Sequence, residues 1–122
     1  MLIDSHPLPE SSPIDIRTST GTTRVGQLEY SQDFNETISK AENSLDQVAS
    51  QGLFNKQRSI EYRFLIHFQS FEESQEYFDQ WGSYYVPMLE ELKRTIEKLA
   101  SQPGAEIILD TNCKSTAFKT LE

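Results

Sequence analysis

Arg58-Ser59-Ile60-Glu61-Tyr62-Arg63-Phe64-Leu65-Ile66-His67-Phe68-Gln69 is the stretch on which the fold turns. Ile60, Tyr62, Phe64, Ile66 and Phe68 alternate with Glu61, Arg63, Leu65, His67 and Gln69. Aromatic and β-branched residues at period 2 specify a strand with one apolar face, because successive side chains of a pleated chain point to opposite sides. Wound as a helix, the same residues would scatter round the axis. The expectation is a strand near the centre of a sheet, with Phe64 on its buried side and Leu65 on the other.

Downstream, the pattern switches period. Ser70 and Glu73 stand at capping-box spacing, and Phe71, Ser74, Tyr77, Phe78 and Trp81 form the stripe of a helix from Ser70 to Gln80. Gly82 interrupts it. Pro87 fits the first turn of a third helix, where its missing N–H costs nothing, and Met88, Leu89, Leu92, Ile96 and Leu99 carry the apolar stripe on to Pro103-Gly104. Ile107-Ile108-Leu109 reads as a short strand, Asp110-Thr111-Asn112 as a turn or bulge, and Thr116 to Leu121 as a last edge strand.

Upstream, Asp33 and Glu36 also have capping-box spacing, with Asp33 the expected N-cap and Ser31 close by. Phe34, Ile38, Ala41, Leu45 and Val48 recur at steps of four and three, which predicts a helix over 33–51 stopped by Gly52. Before it, Ile14 and Ile16 alternate with Asp15 and Arg17, and a β-branched run is broken by Gly21, where a hairpin is expected. Residues 1–13 hold Pro7, Pro9 and Pro13 among polar residues and read as an extended or disordered arm. Residues 14–122 then make a single α+β domain. Its expected architecture is a mostly antiparallel sheet of three to five strands with two or three helices packed on one face. The strand–helix–strand–helix–strand rhythm over 24–121 resembles small ferredoxin-like sandwiches, a likeness of fold alone.

A length of 122 residues suits one domain with its own core, and 36% hydrophobic against 25% charged residues is a globular balance, not a disordered one. The net charge of −8 opposes nucleic acid and anionic lipid, which call for a basic stripe; Lys56 with Arg58 and Lys93 with Arg94 are the only basic clusters. No nucleic-acid or membrane partner is expected. Cys113 has no second cysteine to pair with, the N-terminus lacks the basic and apolar regions of a signal peptide, and no apolar run is long enough to span a bilayer. The expected location is cytoplasmic.

Chemistry-bearing motifs are missing. There is no Gly-rich phosphate loop, G-x-S-x-G, H-E-x-x-H, C-x-x-C or EF-hand loop, so no cofactor, metal or catalytic residue is assigned. His67 stands alone on its strand face, flanked by Arg63, Leu65 and Gln69, and a base without a positioned partner is more readily a surface or interface residue. Glu72, Glu73, Glu76 and Asp79 have no second source of ligands and read as a solvated helix face. The distinctive cluster is Tyr77, Phe78, Trp81, Tyr84 and Tyr85: more rings than one helix face can bury once Gly82 breaks the register.

Two functions follow as expectations. The first is a non-enzymatic interaction domain that forms a homodimer and binds a protein partner. It would use the mixed face around Arg63, Leu65 and His67, or the rings Tyr77, Trp81, Tyr84 and Tyr85. The second is a small-molecule-binding domain or cofactor-independent enzyme with an aromatic-lined pocket that reaches His67. The absence of convergent polar groups favours the first.

Overall fold

The alternation at 58–68 forms a strand, Phe54–Phe68, which we label β4. A computed structural model describes residues 1–120 of the chain; Leu121, the end of the last expected strand, lies outside the described residues. The other strands are Leu2–Pro7 (β1), Ser12–Thr18 (β2), Gly21–Leu28 (β3) and Glu106–Thr120 (β5), and the helices are Gln32–Ser50 (α1), Phe71–Trp81 (α2) and Glu90–Ala100 (α3). All five strands form one antiparallel sheet, so the fold is α+β.

β5 is the spine of that sheet. One edge carries β4 along nearly its whole length, from Phe54 opposite Thr120 to Phe68 opposite Ile107. The other edge carries two strands end to end: β2, with Ile14 opposite Leu109, and β1, with Pro7 opposite Cys113. β3 lies outside β2, joined by the hairpin at Gly21, whose φ of 136° only glycine adopts readily. The ferredoxin-like arrangement does not appear in this register. A split β-α-β unit has another strand between the two that flank its helix, whereas β4 and β5 flank α2 and α3 and are direct neighbours.

The core gathers Ile14 and Ile16 of β2, Leu28 of β3, Phe68 of β4, Ile107 and Leu109 of β5 and Ile96 of α3, with Leu92, Leu99 and Phe78 packed against it. Gly26 of β3 is a glycine because α3 crosses closely: a Cβ there would stand 2.8 Å from a Leu92 methyl. Ser70 caps α2 as its spacing implies, accepting from the Glu73 N–H; α1 is capped by Ser31, not Asp33, with Ser31 accepting from the Phe34 N–H. α3 begins at Glu90, after Pro87 rather than around it.

Three expectations are overturned. Residues 1–13 are extended, one of the two states expected of them, but they join the sheet and do not stand off it as an arm. Leu2–Pro7 pairs with β5, and Ser12 and Pro13 open β2. β1 has no apolar face to betray it, since Leu2 and Ile3 stay exposed; it is held by the ladder and by contacts such as Ser5 Oγ to Ser115 Oγ at 2.6 Å. Asp110-Thr111-Asn112 is not a turn but the middle of one continuous strand. Its polar side chains are satisfied across the sheet: Asp110 by Arg63, Thr111 by Ser12 and Asn112 by Glu10.

The third correction concerns β4, which lies at the edge of the sheet and not near its centre. Every residue from Asn55 to Leu65 is exposed, and Phe64, expected inside, is 54% exposed. The cause is visible on β5, whose buried positions change pleat. Ile107, Leu109 and Thr111 are buried on one side, Thr116 and Phe118 on the other. α3 serves the first set. α1 runs beside the second, where Glu42 takes a bond from Lys114 at 3.2 Å. β4 also slips register against β5 between Lys56 and Arg58. The apolar pleat of β4 is covered at Ile66 and Phe68 and left bare at Ile60, Tyr62 and Phe64.

Candidate functional site

The seven residues singled out by sequence fall into two groups on opposite pleats of β4. Arg63, Leu65 and His67 share the pleat that faces away from α2 and α3. Each meets β5 diagonally or directly. Arg63 donates from Nε to both oxygens of Asp110 at 3.1 Å, Leu65 stands opposite Asp110, and His67 Nδ1 contacts Glu106. Glu106 also accepts from Arg17 on β2, and Asp15 accepts from Arg24 at 3.0 Å, so this pleat is a band of ion pairs. The bond to Asp110 raises the Arg63 guanidinium further above its ordinary value. Burial pushes the Glu106 carboxyl up, but hydrogen bonds from His67 and Arg17 outweigh it and leave the group below its ordinary value. His67 bonds only Glu106 among the described residues, and the further partner of that carboxylate is Arg17, a cation and not a nucleophile.

The aromatic residues build a cleft on the other pleat. α2 places Tyr77 and Trp81 four residues apart on one face, and a 3₁₀ turn at Gly82–Tyr84 then swings the chain back toward the start of α1. Two backbone bonds pin the returning segment, Ser31 N–H to Tyr84 O and Val86 N–H to Glu29 O, both 2.8 Å. The rings lock in pairs. Tyr85 stacks on Tyr30 with centroids 5.1 Å apart, Tyr84 stacks on Trp81 at 5.7 Å, and Phe34 of α1 closes on Tyr84 at 4.7 Å. Phe78, by contrast, turns into the core against Phe68.

Between these rings and the sheet lies an open cleft of about 300 Å³, walled by Phe34, Trp81 and Tyr84 and floored by Phe64, Ile66, Thr111 and Cys113. Polar groups of its lining include Tyr77, Tyr85, Thr111 and Cys113, with the Tyr77 and Tyr85 hydroxyls 3.5 Å apart. Burial, and then the bond with Tyr77, drives the Tyr85 phenol far above its ordinary value; burial likewise raises the Cys113 thiol. Both stay protonated at neutral pH, so the thiol is not poised as a nucleophile.

His67 does not line this cleft, so the pocket and the histidine expected to meet there are separated. Tyr77, Trp81, Tyr84 and Tyr85 are brought together. Tyr30, Phe34, Phe64, Thr111 and Cys113 join them unforeseen, because a helical or period-2 apolar stripe marks a face but not the point where its covering layer ends. No group of three or more His, Cys, Asp or Glu is placed to hold a metal ion, and no helix is long and apolar enough to cross a membrane, among the described residues. No family model, curated protein or solved structure matches the chain.

Proposed function

We propose that the chain is a non-enzymatic interaction domain that docks extended polypeptide on β4. One observation carries this reading: β4 has a partner strand on one edge alone among the described residues, and its side chains from Asn55 to Leu65 are exposed. A long bare edge presents a row of unpaired N–H and C=O groups, the template on which a further strand adds. Ile60, Tyr62 and Phe64 supply the apolar contacts for such a strand. The lone thiol supports a reducing, cytoplasmic setting. The test is selection of short random peptides against the immobilised chain. Binders with alternating apolar residues that are lost with Ile60→Lys and Phe64→Lys support the reading. A selection that yields nothing against the chain kept dilute enough to be monomeric, or binders indifferent to both substitutions, overturns it.

A second reading has its own observation, the ring-lined cleft. A site of this size with neutral hydroxyls and no charged group on its floor suits a small, flat, uncharged molecule. Trp81 is the sole tryptophan and stands at the cleft wall, so its fluorescence reports occupancy. Saturable quenching by coumarin, abolished by Tyr84→Ala, supports this site; linear, unsaturable quenching counts against it.

A further inference from the structure

Resting on the reading of β4 as a docking edge, we infer that its occupant is a second copy of this chain, paired β4 to β4, antiparallel and centred on Tyr62. The segment Ile60-Glu61-Tyr62-Arg63-Phe64 is its own complement when reversed. In the register centred on Tyr62, Ile60 faces the partner's Phe64 and Glu61 faces the partner's Arg63, each contact occurring twice, and Tyr62 faces its own mate once, on the two-fold axis.

Neighbouring registers lose this match. Centring on Glu61 or on Arg63 sets like charges directly opposite, which is destabilising. A half-residue shift places the apolar pleat of one strand against the charged pleat of the other. Moving the centre to Ile60 leaves Tyr62 against Arg58 and Phe64 against Lys56; moving it to Phe64 leaves Arg63 against Leu65.

The side chains are free to make the pairing. Glu61 has no ion pair among the described residues, because Lys114, opposite it in the ladder, reaches Glu42 instead. Arg63 spends Nε and Nη2 on Asp110 and keeps Nη1 for a second carboxylate. Lys56 and Arg58 do not oppose the pairing. Arg58 of each copy lies eight residue rises from its mate, roughly 26 Å and beyond the Debye length at physiological salt.

Cysteine cross-linking reads the register directly. Cys113 stands opposite Tyr62 in the β4–β5 ladder and would capture a thiol placed there, so the background is Cys113→Ser. In that background Tyr62→Cys should form a disulfide dimer under mild oxidation, since directly opposed residues bring Cα atoms to about 4.5–5.5 Å, within disulfide reach. Ile60→Cys and Phe64→Cys should each stay uncross-linked alone and cross-link when mixed. In sedimentation the parent chain should dimerise, and Glu61→Arg, with an unchanged circular dichroism spectrum, should weaken the dimer about tenfold or more. A parent that stays monomeric at about 100 μM, or cross-linking indifferent to position, overturns the inference. Peptide binding on β4 by a strictly monomeric chain would overturn self-pairing alone and leave the docking edge standing.

Discussion

Arg63 grips Asp110 with two nitrogens across the β4–β5 ladder, and the two ends of that bridge live in different media. The arginine side chain is 64% exposed and the aspartate side chain 8%. The consequence is an asymmetry. Arg63→Ala leaves a buried carboxylate without its partner, whereas Asp110→Ala leaves an arginine that water solvates. We predict that Arg63→Ala is the more destabilising of the two in urea titrations. Equal losses would show that water reaches Asp110 as readily as it reaches Arg63.

Two phenylalanines on the same pleat should respond very unequally to truncation. Phe68 is 3% exposed and packed in the core, and Phe68→Ala should cost roughly 3–5 kcal/mol. Phe64, more than half exposed, should cost about 1 kcal/mol or less as Phe64→Ala in the monomer. Denaturant melts at low protein concentration check the order, and the reverse order would place Phe64 under a covering layer.

Removal of residues 1–8 should lower stability, by about 1–2 kcal/mol, because it strips a paired strand from β5 and the Asp4–His6–Glu42 contacts with it. A thermal midpoint unchanged from the full chain would show that β1 contributes nothing beyond its own ordering.

Glu106 titrates below its ordinary value, so the unfolded chain takes up its proton more readily than the folded one. The stabilisation is fully present above the unfolded pKa of about 4.3 and is lost as pH falls through the lower native value. Glu106→Gln should therefore be less stable than the parent at pH 7, by a modest ~0.2–1 kcal/mol for so exposed a network, with the gap closing in acid. Melts from neutral to acid pH measure this; a gap that widens in acid would reverse the sign of the linkage.

Local signals settled the local structure. Period-2 alternation at Ile60–Phe68, the stripe from Phe34 to Val48, the cap at Ser70 and the turn at Gly21 are each decided by neighbours in the chain, and each stands where the residues put it. The acidic balance and the surplus of rings around Gly82 were legible too, and Tyr77, Trp81, Tyr84 and Tyr85 do meet. What the residues could not settle were facts that depend on partners far along the chain. β1 carries no apolar pattern and exists because β5 offers it an edge. Asp110 and Asn112 look like turn residues until Arg63 and Glu10 arrive across the sheet to satisfy them. Alternation reveals that Ile60, Tyr62 and Phe64 share a face, but only the placement of the helices decides whether anything covers it. Here the covering layer reaches Ile66 and Phe68 and stops short of Ile60, Tyr62 and Phe64, and a pattern that reads as core becomes surface.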